Sequence, residues 1–373
     1  MTARTITQLE TPALLLEQGR MNNNIERMRA RLARLKVGFR PHVKTAKCIE
    51  VALAMSGGTP VPITVSTLRE ADYFADHGFT DILYAVGITP NKMGHVAGLL
   101  KRGVNLTVIL DSLDAAQALV QAANASPMSL KALIEIDCDG HRAGILPESP
   151  ALLDVARTLA AGGVTVDGVM THAGGSYDCR GDDALRAMAE QERARAVRAA
   201  GHAAPVVSVG STPTALFAHD LTGVTEVRAG VFVFFDLVMA GLGVCRVDDI
   251  VLSVLTTVIG HQREKGWTIV DAGWMALSRD RGTVAQPVDQ GFGVVCDADG
   301  KPLPDYIMVS ANQEHGIVAR RDGAAGAPLD LPLGSQLRIL PNHACATGAQ
   351  HARYHVVAGS PAVTAVWERI GGW

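Results

Sequence analysis

The chain has 373 residues, of which 48% are hydrophobic and 19% are charged, and its formal net charge is −3 at pH 7. This composition supports a core of ordinary size and excludes a disordered chain, and the length fits one large domain with a smaller one. The sequence has no long basic run and no apolar stretch near the ~20 residues of a membrane helix, which argues against a nucleic-acid partner and excludes a membrane-spanning helix.

The N-terminal residues MTARTITQLETPALLL lack the basic-then-apolar pattern of a secretion signal, so we expect a cytoplasmic protein. After them, short apolar runs alternate with Ala-, Leu-, Arg- and Glu-rich segments up to about residue 230, which is typical of buried strands separated by helices. Eight strands are predicted, over 37–43, 61–65, 81–85, 105–110, 133–137, 167–171, 206–209 and 224–227. Helices are predicted over 21–35, 68–76, 113–123, 151–161 and 183–200.

Eight strands with intervening helices predict an α/β fold of the (β/α)₈ TIM-like barrel type. A doubly wound open sheet is the alternative, but no GxGxxG motif follows the first strand to mark a dinucleotide site. After residue 240, glycine-rich turns separate strand-like runs at short spacing, which predicts an all-β C-terminal domain. We therefore expect a barrel over 20–240 and a β domain over 241–373 that also includes the N-terminal strand of about residues 1–19.

Barrel enzymes carry their active sites at the C-terminal ends of the strands, so polar residues there indicate chemistry. The first strand ends in RPHVKTAK and places Lys44 at that end. A partly desolvated amine at a barrel mouth can act as a Schiff-base nucleophile, whereas an ordinary rim lysine stays solvated. We interpret Lys44 as a candidate nucleophile and Lys47 as an ordinary rim lysine.

The fifth and sixth strands also end in polar residues. In IEIDCDGHRAG, Arg142 could pair with a phenolate or carboxylate of a ligand, or could close the loop through an ion pair with an aspartate. In VMTHAGGSY, His172 and Tyr177 flank two glycines that allow a tight turn. His172 is either a ligand contact or a histidine hydrogen-bonded within the top of the barrel.

The last two strands end in a candidate phosphate site. In VSVGSTPTAL, Gly210, Ser211 and Thr212 lead into a predicted helix with its proline as the first helical residue. Backbone N–H groups and two hydroxyls at a helix N-terminus suit a phosphate, although a plain helix cap is the alternative. In TEVRAGVFVFFD, Gly230 offers another backbone N–H, and Arg228 lies just before it.

A histidine and a cysteine in the β domain form a candidate metal pair. The run ILPNHACAT contains His343 and Cys345, and residues i and i+2 of an extended segment point the same way. A converging imidazole and thiolate suit zinc or a similar metal, and two protein ligands with water or substrate make an open, catalytic type of site. The six cysteines form no CxxC pair, so we expect no disulfide framework.

Several motifs, taken in chain order, resemble those of one enzyme family. They are RPHVKT, TVSTLREADYF, DILYA, DGHRAG, THAGGSY, VGSTPT, EVRAGVFVFFD, DAGWMALS, NQEHG and PNHAC, and they cover nearly the whole chain. The sequence resembles the fold-type III pyridoxal-phosphate enzymes, and within them the D-serine dehydratase and D-threonine aldolase group, which are distant relatives of alanine racemase. The resemblance implies an alanine racemase-like barrel, pyridoxal 5′-phosphate as cofactor, and a homodimer in which the β domain of one subunit completes the site of its partner.

The resemblance also implies roles for individual residues. Lys44 would carry the cofactor as a Schiff base and then take the α-proton from the substrate. Arg142 would face the phenolic oxygen of the cofactor, with Tyr177 and His172 beside the ring. Arg228 would occupy the position of the arginine that contacts the pyridine nitrogen in alanine racemases. The remaining positions that match are Gly210, Ser211, Thr212 and Gly230 for the cofactor phosphate, and His343 and Cys345 for a catalytic divalent metal.

β-Elimination is the reaction that the resemblance implies. The group acts on D-amino acids, and a metal at the β-hydroxyl helps hydroxide to leave, so D-threo-3-hydroxyaspartate or D-serine would give a 2-oxo acid and ammonia. The alternative is an aldolase that cleaves the same substrates to glycine and an aldehyde. Aldolases of the group tend to have aspartate in place of Cys345, which favours the dehydratase. Cys345 also favours zinc, while manganese, magnesium and cobalt stay open.

Two further alternatives concern the β domain and the substrate. Some fold-type III barrels bind pyridoxal phosphate without a β domain and serve cofactor homeostasis, and the last ~130 residues here argue against that class. A cationic residue near the site would favour a substrate with a β-carboxylate, and the candidates are Arg279, His315 and His172.

Overall fold

The strands belong to two sheets of different kinds. The structure, a computed structural model, describes residues 4–125, 128–201, 204–322, 324 and 326–373. One unit, the barrel unit, comprises Arg27–Gly230 with Gly372–Trp373. The other, the β unit, comprises Val231–Gly371 with the described residues up to Glu26. Over the described ranges, no helix has both the length and the apolar character required to cross a bilayer.

The chain begins in the β unit and then enters the barrel unit. The first elements are β1 (Ala13–Glu17) and α1 (Gln18–Arg34). The barrel strands that follow are β2 (Gly38–Phe39), β3 (Ile63–Val65), β4 (Asp81–Gly87), β5 (Asn105–Leu110), β6 (Lys131–Ile136), β7 (Thr165–Thr171), β8 (Val206–Val209) and β9 (Glu226–Val227). The helices that follow α1 are α2 (Ile49–Met55), α3 (Leu68–Asp76), α4 (Met93–Lys101), α5 (Leu113–Ala125), α6 (Ala151–Ala161), α7 (Asp182–Ala200) and α8 (Thr212–Phe217).

The eight strands β2 to β9 form a parallel sheet in the order β2-β9-β8-β7-β6-β5-β4-β3. Pairing beyond the end of β2 closes this sheet into a barrel: Thr64 N–H donates to the carbonyl of Pro41 at 2.9 Å, and Val43 N–H donates to the carbonyl of Thr64 at 3.0 Å. The predicted (β/α)₈ barrel is confirmed. Its first strand ends earlier than predicted because Pro41 has no N–H to donate to a ladder.

Consecutive strands of the barrel contribute side chains to one apolar core. Leu83, Ile109, Leu133 and Met170, one from each of β4 to β7, form a buried apolar cluster. The apolar runs in the sequence therefore end as buried strands, as their length and β-branched content predict. Helices α2 and α4 were not among the predicted elements, since α2 is short and α4 contains two glycines that lower its helix propensity.

The β unit contains a mostly antiparallel sheet of nine strands. After β1 its strands are β10 (Leu252–Gln262), β11 (Trp267–Val270), β12 (Val294–Cys296), β13 (Pro302–Ala311), β14 (Gly316–Arg320), β15 (Gln336–Leu340), β16 (Arg353–Val357) and β17 (Val363–Glu368). Their order is β11-β14-β13-β12-β15-β10-β1-β16-β17, and β10 also pairs with β11, so six of them close into a small barrel. The predicted all-β domain is confirmed. It also contains the short helices α9 (Leu237–Gly241), α10 (Trp274–Leu277) and α11 (Ala344–Gly348).

Candidate active site

Two lysines follow β2, and they have different environments. The side chain of Lys44 is exposed on the loop that continues the strand. The Nζ atom of Lys47 lies 3.0 Å from Oε1 of Glu70, a fully buried carboxylate, and only 17% of the Lys47 side chain is exposed. The interpretation of Lys47 as a solvated rim lysine is therefore wrong, because its charge neutralises Glu70 inside the barrel unit. Lys44 is the amine presented at the strand end.

Two histidines near Lys44 are held neutral. Burial, with the positive charges of Lys44 and Arg228, keeps the pKa of His42 well below its ordinary value. Burial also lowers the pKa of His172 to about 3, together with the charges of Lys44 and Arg142. The Nδ1 of His172 donates to the carbonyl of Gly210 at 2.7 Å, since a carbonyl can only accept. His172 therefore presents an unprotonated Nε2.

Two arginines supply positive charge to the same end of the barrel. Arg228 is buried, and its Nε donates to Oγ of Ser208 at 2.8 Å while its Nη2 donates to the carbonyl of Thr171. Burial lowers the pKa of the Arg228 guanidinium. Arg142 is 62% exposed and lies 3.5 Å from the carboxylate of Glu135. An aspartate was the predicted ion-pair partner of Arg142 in one of the two alternatives, but the observed partner is a glutamate, Glu135 of β6.

The turn after β8 is a helix cap with a buried hydroxyl cluster. Ser211 caps α8, and its Oγ lies 2.9 Å from Oγ of Ser176 and 2.9 Å from Oγ1 of Thr214. Thr212 is the first residue of the helix, so the proline occupies the second position rather than the predicted first. Ser176 belongs to the Gly174–Tyr177 turn after β7. The hydroxyls therefore link the turn that carries Tyr177 to the candidate phosphate turn.

A buried glutamate of α7 joins the same two loops. Oε1 of Glu192 accepts the N–H of Ala173 at 3.0 Å and the N–H of Gly210 at 3.0 Å. Burial raises the pKa of Glu192, against the effect of these hydrogen bonds. The N–H of Gly210 is thus directed at Glu192, and its predicted contact with a phosphate stays a prediction.

Glycines let the loops at this end approach each other. A Cβ at Gly210 would lie 1.8 Å from the carbonyl oxygen of Arg228, a contact that backbone atoms cannot relieve. A Cβ at Gly230 would lie 2.9 Å from the carbonyl oxygen of His42 and 3.1 Å from Oγ1 of Thr45. Gly230 therefore brings the end of β9 against the loop that carries Lys44.

The residues at this end of the barrel fit pyridoxal phosphate. An exposed primary amine and two guanidinium groups form a donor set for an anionic aromatic aldehyde. Barrels of this type place phosphate groups after the last two strands, where Ser211, Thr212 and Gly230 lie.

The β unit contains the histidine–cysteine pair. His343 has the predicted extended backbone and immediately precedes α11, whereas Cys345 lies in the first turn of that helix, so the two residues do not share the extended segment that was predicted. Nδ1 of His343 is 2.6 Å from Oδ2 of Asp280. Burial opposes charging of this imidazole, but hydrogen bonds to Asp280 and Cys345 raise the pKa of His343 to about 11. The hydrogen bond to His343 likewise lowers the pKa of Asp280.

This pair fits an open metal site. Because Asp280 occupies Nδ1, the Nε2 of His343 is the nitrogen that would ligate a metal, and carboxylate partners commonly orient such imidazoles. The thiol of Cys345 supplies the second donor, which suits a borderline ion. Within the parts of the chain that the structure describes, no group of three or more His, Cys, Asp or Glu side chains forms a metal site.

A second carboxylate fixes the backbone of this pair. Asp236 is buried, and its Oδ2 accepts the N–H of Ala344 at 3.0 Å while its Oδ1 accepts the N–H of Met239 at 3.0 Å. Burial raises the pKa of Asp236. Asp236 therefore ties the start of α9 to the residue between His343 and Cys345. No disulfide joins any of the six cysteines, all of which the structure describes.

Comparison with known proteins tests the resemblance. The family model described as alanine racemase, N-terminal domain, matches residues 16–238, and the one described as putative serine dehydratase domain matches residues 251–357. The chain is 53% identical to the D-threo-3-hydroxyaspartate dehydratase of Delftia sp. (strain HT23), over 99% of each sequence. The chain belongs to the alanine racemase-like, fold-type III pyridoxal-phosphate enzymes. The resemblance seen in the sequence is confirmed.

Other known proteins are similar to this chain in sequence or in structure. The D-serine dehydratase of Dictyostelium discoideum is 31% identical over 94% of each sequence. The solved structure of the Delftia enzyme superposes with a TM-score of 0.95 at 52% identity, over 99% of this chain and 100% of that one. A cysteine-to-alanine variant of a D-threo-3-hydroxyaspartate dehydratase has been solved in the metal-free form, also with a TM-score of 0.95 at 52% identity, over 99% and 100% of the two chains. The D-threonine aldolase of Filomicrobium marinum shares the fold with a TM-score of 0.82 at 24% identity, over 99% and 98% of the chains.

Sequence reasoning missed the carboxylates that hold the site together. Asp280 lies 63 residues from His343, and no local pattern connects the two. Glu192 could have been found, because it occupies a position of the buried stripe of α7. That stripe is Leu185, Ala189, Glu192 and Ala196. A glutamate on the apolar face of a helix indicates a buried polar partner.

Proposed function

We propose that this protein is a cytoplasmic, homodimeric, pyridoxal-phosphate- and metal-dependent dehydratase of D-3-hydroxy amino acids. D-threo-3-hydroxyaspartate and D-serine are the proposed substrates, and a 2-oxo acid and ammonia are the products. The observation that carries the proposal is the His343–Cys345 pair with Asp280 on Nδ1, in a chain 53% identical to a D-threo-3-hydroxyaspartate dehydratase. A metal at the β-hydroxyl has a use in elimination and none in simple racemisation.

Residues of the barrel unit hold the cofactor and move the α-proton in this proposal. Pyridoxal phosphate, when bound, supplies an electron sink for negative charge at Cα. Lys44 would hold the cofactor, and its Nζ then takes the proton from Cα of the substrate. Ser211, Thr212 and Gly230 would hold the phosphate. His172, neutral, with Nδ1 fixed by Gly210, offers its Nε2 only as an acceptor.

Residues of the β unit act on the leaving group. A divalent metal, when bound, supplies Lewis acidity toward the β-hydroxyl oxygen. His343 and Cys345 would hold it, with Asp280 fixing the imidazole ring. Loss of the α-proton to Lys44 and of hydroxide from Cβ forms the Cα–Cβ double bond. The released enamine tautomerises and is hydrolysed to the 2-oxo acid and ammonia. We propose zinc as the ion because Cys345 is a soft ligand.

The test is a product assay with D-threo-3-hydroxyaspartate and the purified, cofactor-loaded protein. We expect oxaloacetate and ammonia in equal amounts. Glycine with glyoxylate would instead identify retro-aldol cleavage, the alternative that the aldolase relatives represent, and would replace the proposal. With D-serine the expected products are pyruvate and ammonia, and a protein inactive on both substrates would contradict the proposal.

The same assay tests the metal. Chelation should remove most of the activity while the cofactor absorbance stays, because Lys44 and the phosphate site lie in the barrel unit and the metal pair lies in the β unit. Addition of zinc, manganese, magnesium or cobalt then identifies the ion that restores activity. Full activity of the metal-free, cofactor-loaded protein would contradict the role given to His343 and Cys345.

A further inference from the structure

The segment Leu277–Asp280 is anchored along its length to the metal pair. Oγ1 of Thr347 donates to the carbonyl of Leu277 at 2.7 Å, and Nδ2 of Asn342 donates to the carbonyl of Asp280 at 3.2 Å. Oδ2 of Asp280 lies 2.6 Å from Nδ1 of His343. Asn342, just before α11, and Thr347, within it, thus hold both ends of the segment by hydrogen bonds. The backbone of Leu277–Asp280 is therefore held at a fixed position relative to His343.

The backbone of this segment is strained. Ser278 has φ 76° and ψ 166°, a conformation that is essentially confined to glycine. The N–H of Asp280 donates to Oγ of Ser278 at 3.2 Å, which helps to hold the turn. Non-glycine residues keep such conformations only where the surrounding structure imposes them, and they occur most often at functional sites. Arg279 directly follows this strained residue.

Arg279 is an uncompensated cation. Its side chain is exposed, and its guanidinium carbon lies 5.1 Å from the centroid of the Trp274 ring. It has no hydrogen bond or ion pair with any residue among those the structure describes. Arg281, two residues later, instead donates to Asp289 at 2.6 Å. Stacking on an indole restrains a guanidinium without neutralising it, which leaves its planar set of donors for a carboxylate.

The other candidate cations are less suitable. His172 carries no charge at neutral pH, since its pKa is about 3. His315 lies in the exposed turn between β13 and β14 and directly follows an acidic residue, Glu314, in the sequence. An arginine stays charged at every relevant pH and binds a carboxylate through two parallel hydrogen bonds.

We propose that Arg279 binds the β-carboxylate of the substrate and so selects 3-hydroxyaspartate over 3-hydroxy amino acids with a neutral side chain. This rests on the proposed function, which places the β-hydroxyl at the His343–Cys345 pair. In 3-hydroxyaspartate the hydroxyl and the second carboxylate are on the same carbon. A receptor for that carboxylate must therefore lie beside the metal pair, and Arg279 adjoins Asp280, the residue bonded to His343. D-Serine has no second carboxylate and makes no use of Arg279.

The experiment compares Arg279→Gln with the wild-type enzyme on two substrates. For D-threo-3-hydroxyaspartate we expect kcat/KM to fall about 10- to 100-fold, mostly through KM, as for loss of a charged hydrogen-bonded contact. For D-serine we expect a change of less than about twofold, since this substrate lacks the contact. Arg279→Lys should be intermediate because it keeps the charge and loses the paired hydrogen bonds. Arg246→Gln, at a side chain that is 81% exposed in the same unit, is the matched control and should change neither value.

A binding measurement separates recognition from catalysis. Malate has the hydroxyl and both carboxylates but no amine, so it cannot react. Calorimetry on the metal-loaded enzyme should show that Arg279→Gln weakens the binding of malate by a similar factor. The binding of 3-hydroxypropionate, which has no carboxylate on its hydroxyl-bearing carbon, should stay unchanged. An equal loss of kcat/KM on both amino acids, or no loss on either, would overturn the assignment. If the wild-type products are glycine and glyoxylate, the dehydratase proposal fails, and a selective loss in Arg279→Gln still supports carboxylate recognition.

Discussion

At the scale of single residues, His172 shows how the barrel mouth controls protonation. Its Nδ1–H is fixed on the carbonyl of Gly210, and burial with neighbouring cations lowers its pKa to about 3. In an unfolded chain a histidine titrates near pH 6.5. Between these two values the unfolded chain binds more protons than the folded one. The free energy of unfolding therefore falls as the pH drops below about 6.5, and this contribution is fully present above that pH.

We expect His172→Asn to flatten this pH dependence, because the asparagine amide can donate to Gly210 and does not titrate. The slope of unfolding free energy against pH between about 4 and 6 should decrease by up to about 1.4 kcal/mol per pH unit. Urea unfolding at several pH values measures it. His77→Asn is the control, since His77 also bonds a backbone carbonyl through Nδ1, at 2.7 Å, but is exposed. An unchanged slope in His172→Asn would show that His172 is charged in the folded state.

At the scale of elements, α7 organises the end of the barrel through one side chain. Glu192 reaches from the buried face of α7 to the N–H groups of Ala173 and Gly210, which belong to the loops after β7 and β8. A third hydrogen bond joins it to the side chain of Thr214 in α8. Its carboxyl group thus replaces the strand-to-strand hydrogen bonds that end where the two loops begin.

We expect Glu192→Leu to destabilise the protein by about 2–5 kcal/mol, because two buried N–H groups lose their acceptor. The same change should weaken pyridoxal phosphate binding, since the loops that carry His172 and Ser211 lose their common anchor. Glu192→Gln keeps an acceptor oxygen and should cost less than about 1 kcal/mol. Urea unfolding and cofactor titration measure the two effects. If the glutamine variant is as damaged as the leucine variant, the charge of Glu192 rather than its acceptor geometry matters.

The element scale also shows how far the sequence predicts the site. The strand ends were predictable, because apolar runs locate strands and barrel topology gathers their C-terminal ends. The sequence therefore places Lys44, His172 and Ser211 at that end of the barrel, and their roles in the site stay predictions. The hydrogen-bond and ion-pair partners of these residues were not predictable, because ion pairs such as Lys47–Glu70 join separate elements and depend on packing. The extended conformation predicted for Cys345 was wrong, because a helix of five residues leaves no periodic signal.

At the scale of the whole molecule, the two sets of chemical groups belong to different units. Lys44 is in the barrel unit, while His343 and Cys345 are in the β unit. The family resemblance implies that the β domain of one subunit completes the site of its partner. We accordingly expect a dimer of twice the 39.3 kDa chain mass in solution.

Hybrid dimers test where each site is assembled. Lys44→Ala and Cys345→Ala homodimers should each be inactive, so they are the controls. A hybrid with one chain of each kind, isolated through two affinity tags, has one chain with an intact lysine and one with an intact metal pair. If partner subunits share each site, one of its two sites is complete, and the hybrid should show about half of the wild-type specific activity. If each site is built from a single chain, both sites of the hybrid lack one group and the hybrid is as inactive as its parents.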